Sequence, residues 1–340
     1  MATVLELFPQ KEILNYLGSR QYPALLGETL FPEVKKQSLE FDAIVGASRI
    51  PVIASVHGFD TESEIGTRDA SRMALELALI KRKMRLGEKE IIALESPRND
   101  AELQYLMSQV YNDVDFLVAG VRARAEAMRM EVLANGTVTL AENNLSATID
   151  YLVPAAHKVV LSGTDLWSDP SADPIADLME WVAALDVKPT RALTSTKVLG
   201  TLIKHPKVVG ALYGVNGSDR MASRTELNAY LQQLDLPSVA VYDGKYKKQA
   251  ANGTFTTERY FPENKIVLFG PDRLGDTIYG PTAEEIRLTR DPQIRTQTVG
   301  YVLAMVYEEG TDPVSTWTKA VATALPSFPE ADNVFQAQVL

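Results

Sequence analysis

The chain reads as an α+β protein organised around one long helix, with a projecting two-stranded ribbon ahead of it and a compact mixed domain behind it. Three observations predict this. Residues 44–95 hold two alternating runs around a glycine-bracketed tip, residues 99–134 place apolar side chains at every third or fourth position, and strand and helix patterns mix after Leu140. An isolated hairpin is at best marginally stable in water. A ribbon of this length therefore implies cover from another subunit, and a protein whose work is assembly.

Composition bounds the reading. A chain of 340 residues with 46% hydrophobic content can bury a sizeable core, and length alone suggests about two domains. The formal charge of -10 disfavours a general electrostatic grip on nucleic acid while leaving room for a local basic patch. With no cysteine, disulfides, thiolate nucleophiles and sulfur-dependent zinc sites are excluded. The opening Met1-Ala2-Thr3-Val4-Leu5-Glu6-Leu7-Phe8-Pro9 has no basic region followed by an apolar run, and nothing approaches the ~20 apolar residues of a membrane span. The expectation is a chain made and kept in cytoplasm. The Asn-x-Ser/Thr triplets at Asn135, Asn144, Asn216 and Asn252 then read as turn residues.

From the start, Phe8-Pro9, Tyr22-Pro23 and Phe31-Pro32 interrupt any helix longer than Lys11–Leu17, because proline lacks a donor and restricts its predecessor. An extended arm laid over something else is expected. Arg49–Val56 alternates through Val52, Ala54 and Val56, and Met73–Lys81 through Met73, Leu75, Leu77 and Leu79, with Gly58 to Gly66 as the tip between them. Two strands joined in this way make a ribbon. The composition of Ser71–Met84 also fits a helix, and that alternative stays open. The run Lys81-Arg82-Lys83-Met84-Arg85 reads as a solvated face or as a surface that meets an acidic patch on a partner subunit.

Leu103, Met107, Val110, Val114, Leu117, Val121, Ala125, Met128 and Val132 form one helical stripe, with Arg122, Glu126 and Arg129 assigned to other faces. Asn99 with Glu102 resembles a capping box, and Asn135-Gly136 a C-terminal stop. A period of about 3.6 rather than 3.5 argues for packing on a sheet instead of a coiled coil. Ala147–Val153 reads as a strand, and Asp169–Pro174 as a linker ending in an N-cap Asp173 with proline at the first helical position. Helices at Ile175–Leu185, Ser195–Lys204 and Thr225–Leu234 follow, with strands near Arg191 and at Val239–Tyr242. Asn252-Gly253 reads as a hairpin tip ahead of strands at Phe255–Phe261 and Lys265–Phe269. Strand patterns return at Val299–Tyr307 and Asn333–Leu340, both expected in the first domain's sheet.

The sequence carries no recognisable constellation for chemistry. His57, His157 and His205 have no second histidine at i+3 or i+4 to suggest a metal pair, so each reads as a surface or packing residue. Gly210–Gly217 matches neither glycine-rich phosphate spacing and reads as a turn. Asp169, Asp173 and Asp177 are spaced to gather a cation, but helix starts explain the first two. No G-x-S-x-G elbow occurs. Lys245, Lys247 and Lys248 around Tyr246 are a weak nucleic-acid signature that an exposed hairpin explains equally well. No catalytic residue, metal site or cofactor is expected.

The order of parts resembles a known family. Leu30-Phe31-Pro32, Ile80-Lys81-Arg82-Lys83, Arg259-Tyr260-Phe261-Pro262-Glu263-Asn264-Lys265, Tyr279-Gly280-Pro281-Thr282-Ala283-Glu284-Glu285, Asp312-Pro313-Val314, Leu325-Pro326 and Ala331-Asp332-Asn333-Val334-Phe335 are similar to the major capsid protein E family of lambda-like tailed phages. That resemblance implies the Hong Kong 97-type (HK97-like) capsid fold. It places an N-terminal arm at 1–42, an extended E loop at 43–95, a peripheral P domain at 96–172 and 286–340, and an axial A domain at 173–285. It further implies pentamers and hexamers in an icosahedral shell around double-stranded DNA, a portal, a scaffold protein and a possible decoration protein, with assembly in the host cytoplasm and residence in the virion. A fused scaffold is not evident, and no isopeptide crosslink is expected. Phe31 on the arm and Arg49, Phe59, Arg82 and Lys83 on the ribbon are the expected contacts between subunits. The rival readings are a cellular cargo-enclosing compartment of the same fold and a cytoplasmic α/β enzyme.

Overall fold

The computed structural model describes residues 3–45, 71–142, 145–214, 220–250, 252–271, 273–290, 300–310 and 314–340. Its centre is the helix Asp100–Asn135, laid across a sheet whose middle strand is Ser315–Pro326. Ala78–Leu86 pairs antiparallel along one edge of that long strand. Leu303–Glu309 and then Thr277–Gly280 take the other edge in succession, and Glu33–Lys35 adds in parallel beside Thr277–Gly280. Side chains alternate across a strand. Ala320, Ala322 and Ala324 therefore face the helix together, and their small size lets Val110, Val114, Leu117 and Val121 pack close.

The 36-residue helix spans roughly 54 Å at 1.5 Å per residue. Asn99 caps it, with Oδ1 accepting from the Glu102 N–H at 2.8 Å, and Gly136 ends it at φ 70°. The expected capping box is altered: the Glu102 carboxylate accepts from the Arg98 N–H rather than from Asn99. The predicted stripe is buried from Val110 onward, but Glu126 and Arg129, assigned to the polar face, are fully buried as well.

The expected extended arm is instead three short helices, Val4–Leu7, Gln10–Ser19 and Leu26–Leu30. The prolines do break the chain, yet Pro9 does so as the cap of the second helix, and the pieces between prolines coil. Val4, Phe8 and Ile13 bury against the chain's own long helix and sheet.

Of the ribbon, Glu40–Val45 pairs antiparallel with Ser71–Glu76. Strand rather than helix is therefore the outcome for residues 71–86, because pairing and the burial of Leu75 and Leu77 override helix propensity. After Leu77 the chain leaves the ribbon and enters the main sheet. The Arg49–Val56 strand and the tip, with Arg49, His57 and Phe59, lie outside the described residues. A helix that the sequence reading missed, Glu88–Glu95, follows within the expected E loop and buries Ile91 and Leu94.

The second sheet runs in the order 158–160, 334–338, 265–269, 191–194, 238–241. The last strand, Val334–Gln338, thus belongs here and not in the first sheet. Phe335, Ala337 and Val339 bury with Trp181 and Trp167, whose rings stack. Conversely Thr277–Gly280, from the stretch read as the second domain, belongs to the first sheet. Leu303–Glu309 returns to the first sheet as expected. Helices Pro174–Ala184, Thr196–Leu202, Pro206–Tyr213 and Arg224–Gln233 surround the second sheet. The helix expected through Lys204 stops early because Pro206 starts a new one, capped by His205.

Candidate functional site

Nothing in the described residues gathers into a reaction centre. No group of three His, Asp or Glu among them could hold a metal ion. Asp173 is an N-cap, Asp177 accepts from the Trp167 indole at 2.7 Å, and Asp169 accepts from Ser171. His205 Nδ1 accepts from the Lys207 N–H, so its Nε2–H donates to the Asp169 carbonyl. His157 lies against Phe335. Gly210 is inside a helix and Gly214, at φ 70°, ends it. No helix among the described residues is long and apolar enough to cross a membrane.

Two other features stand out: limbs that bury only part of themselves, and a charged clasp that pins the N-terminal segment. Among the described residues, three two-stranded ribbons pair only within themselves: 40–45 with 71–76, 137–142 with 145–150, and 245–249 with 255–259. The second is exposed along most of its length, including Leu145, and the third along nearly all of it, including Phe255. Tyr105 and Phe116 stand exposed on the long helix. Single exposed apolar residues are ordinary, but narrow ribbons carrying them lack the second face that stabilises a sheet.

The clasp centres on Arg129. Its Nε donates to Thr277 Oγ1 at 2.7 Å and its Nη2 to Glu33 Oε1 at 2.9 Å, while Nη1 reaches Glu126 Oε2 at 3.4 Å. Glu126 Oε1 accepts from the Gly27 N–H at 2.9 Å and from the Tyr242 hydroxyl at 2.8 Å. One buried carboxylate therefore joins the N-terminal segment, the long helix and the second lobe. Burial works against the Arg129 charge, but Tyr279, Glu33 and Glu126 outweigh it and raise its pKa above the ordinary value. Burial next to Glu126 pushes the Tyr242 phenol up, so it stays a donor. Gly27 is required by contact, since a Cβ there would run into the Glu126 carboxylate and lie 2.8 Å from Arg129 Cδ.

A second anchor holds the first turns. Asp115 accepts from Tyr16 at 2.7 Å, Tyr22 at 2.9 Å and Arg20 Nε at 3.0 Å. Burial raises its pKa, but these donors prevail and hold the carboxyl below its usual range.

Of the expected contact residues, Phe31 is 0% exposed and packs on Phe328 in the chain's own core, so it offers no surface to a neighbour. Arg82 and Lys83 are both exposed, on opposite faces of one strand. Arg82 runs over Gly120 and donates to Gln249 Oε1 at 2.9 Å. Lys83 Nζ sits 3.9 Å from the Trp317 ring centroid and 3.3 Å from Glu309.

Comparison with known proteins places this architecture. The family model for phage major capsid protein E matches residues 12–339. The chain belongs to that family. A curated relative, the major capsid protein of Pseudomonas phage JBD67, is 30% identical over 131 residues, which is 38% of this chain and 40% of that protein's length. A crystal structure described as the capsid protein of an E. coli CFT073 prophage aligns with TM-score 0.62 at 15% identity over 100% of this chain and 99% of that one. A phage-related protein from Bordetella bronchiseptica RB50 aligns with TM-score 0.55 at 13% identity over 96% of each chain. The fold of this capsid-family chain is accordingly the Hong Kong 97-type α+β fold that the sequence resemblance implied.

Proposed function

We propose that this chain is a major capsid protein that self-assembles into the icosahedral shell enclosing phage DNA. The observation that carries the reading is a family match along nearly the whole chain on a molecule whose ribbons find only partial cover at home. The role is structural, without catalysis. The ribbon within residues 43–95 acts as the E loop, the long helix and first sheet as the P domain, and the second sheet with its helices as the A domain. Pentamers and hexamers form because each subunit lends limbs to its neighbours. Individually weak heterologous contacts add up when the ring closes. A portal and a scaffold protein, and in some shells a decoration protein, are the further partners, and the mature location is the virion. DNA is retained by the closed wall, without sequence-specific binding.

Electron microscopy and sedimentation of the purified protein test this. Shells, or rings of five or six subunits, are expected. A protein that stays monomeric at high concentration, and whose association is indifferent to deletion of the ribbon, contradicts the reading.

A further inference from the structure

The face of the first sheet that turns away from the long helix is cationic on an otherwise acidic chain. On Ala78–Leu86, residues paired with Ala320 and Ala322 face the helix, so Lys81, Lys83 and Arg85 share the opposite face, in register with Val321, Lys319 and Trp317. Lys83 and Lys319 are paired with Glu309 and Glu284. Lys81 and Arg85 are exposed and form no salt bridge among the described residues, although, with burial opposing, Lys81 lies close enough to help Lys319 hold the Glu284 carboxyl below its usual range. Lys319 also lines a shallow crevice with Arg287, Leu288, Met305 and Tyr307. The result is a cationic strip beside an apolar step.

The same chain carries the complement. At the root of the ribbon Phe41 and Leu75 are buried, so the residues that alternate with them, Glu40, Asp42 and Glu76, project outward and are exposed. Glu40 and Glu76 lie directly opposite each other in the register. Like charges in that position destabilise a ribbon unless a cation lies over them, and none of the three has an ion-pair partner among the described residues. The chain's own cationic strip does not supply it. The apolar side of the ribbon root joins the core with Ile278 and Leu325, which turns the three carboxylates outward.

We propose that the cationic strip of one copy receives the acidic ribbon root of a second copy, with Lys81 and Arg85 set against Glu40, Asp42 and Glu76. This rests on the shell reading above and names the electrostatic part of its contacts. Alternate residues on a strand repeat at roughly 6.6 Å, twice the rise per residue, so Lys81 and Arg85 stand roughly 13 Å apart across Lys83, wide enough for the narrower cluster of Glu40, Asp42 and Glu76 to sit between them. Duplex DNA fits the strip less well, because Glu284 and Glu309 interrupt it and would face the phosphates.

Charge reversal tests it. Lys81→Glu with Arg85→Glu, and separately Glu40→Lys with Glu76→Lys, are each expected to lower shell yield by at least about tenfold, since like charges set against each other cost several kcal/mol. All four substitutions in one chain restore complementarity and are expected to restore shells. Circular dichroism confirms that each subunit is folded. Shell formation by both half-variants overturns the inference and leaves the shell reading intact, as does failure of a folded four-fold variant. Absence of shells from the unaltered chain under any condition sinks the shell reading itself. Carbodiimide coupling of shells built from mixed heavy and light unaltered subunits needs no variant. Lys81 or Lys83 is expected to join Glu40, Asp42 or Glu76 between isotopically different chains, and coupling of these lysines only within one chain or only to other carboxylates overturns the proposal.

Discussion

Replacing Arg129 by Met strips the cation from a carboxylate that has no access to water. Glu126 and Arg129 are both 0% exposed. After the change Glu126 keeps two donors, the Gly27 N–H and the Tyr242 hydroxyl, but no buried counter-charge of its own. The other partners matter less. Glu33 is 21% exposed at its side chain and is resolvated, and Thr277 still donates to the Phe31 carbonyl. The loss therefore concentrates at Glu126, and breaking a buried pair from one side costs about 3–5 kcal/mol. Urea unfolding of the soluble subunit by circular dichroism reads that loss, and hydrogen exchange over residues 25–33 is expected to speed up with it. Adding Glu126→Gln removes the stranded charge while keeping an acceptor for both donors, and is expected to return about 1–3 kcal/mol, the coupling usual for contacting groups. If Arg129→Met costs less than about 1 kcal/mol, or if Glu126→Gln adds an independent penalty on top of it, a buried charge is not what holds the N-terminal segment.

Three further outcomes follow from the packing. Gly136→Ala puts a Cβ at φ 70° and 2.6 Å from Val153 Cγ2, so left-handed strain plus overpacking is expected to cost about 2–5 kcal/mol in the same urea assay. Phe31→Ala is expected to cost the unassembled subunit about 3–5 kcal/mol, as for a filled core position; an unchanged urea midpoint with lost assembly would restore Phe31 to the surface role that the sequence suggested. Asp115 has a folded pKa below its unfolded one, so its stabilising contribution is complete above the unfolded value and fades as pH falls below about 4. Exchange of the Gln10–Ser19 amides is expected to accelerate in that acid range in the unaltered chain, and Asp115→Asn is expected to flatten the dependence.

Much of the fold was legible where a period repeats for long enough. Nine apolar positions from Leu103 to Val132 define the helix, and Asn99 and Gly136 end it within a residue of expectation. The hairpin tip at Asn252-Gly253 was equally readable, because Gly253 at φ 84° is the conformation such a turn requires. Strand membership was not readable. Val334–Gln338 and Thr277–Gly280 each have buried faces on both sides, and a strand without polar alternation does not say which sheet it will join. The arm misled because proline reports where a helix breaks and says nothing of whether the pieces between breaks coil.

The clasp shows how a period can be correct and still assign a residue to the wrong face. Glu126 and Arg129 are polar and three apart, so a single-stripe reading sends both to solvent. Yet the last turns of the helix run Met128, Arg129, Met130, Glu131, Val132, Leu133, Ala134, and three consecutive apolar residues cannot share one stripe. A helix apolar nearly all round is buried nearly all round, so Arg129 within that stretch and Glu126 one turn before it are buried, while Glu131 stays partly exposed. Two buried, oppositely charged residues one turn apart then call for each other and for further donors. Gly27 supplies one, because only a residue without a side chain lets the N-terminal segment approach the carboxylate. The wide end of the helix, rather than its regular middle, is thus where the sequence announces that another part of the chain folds over it. The same logic separates the N-terminal segment, which finds its charge partners at home, from the ribbon root, whose carboxylates find none among the described residues.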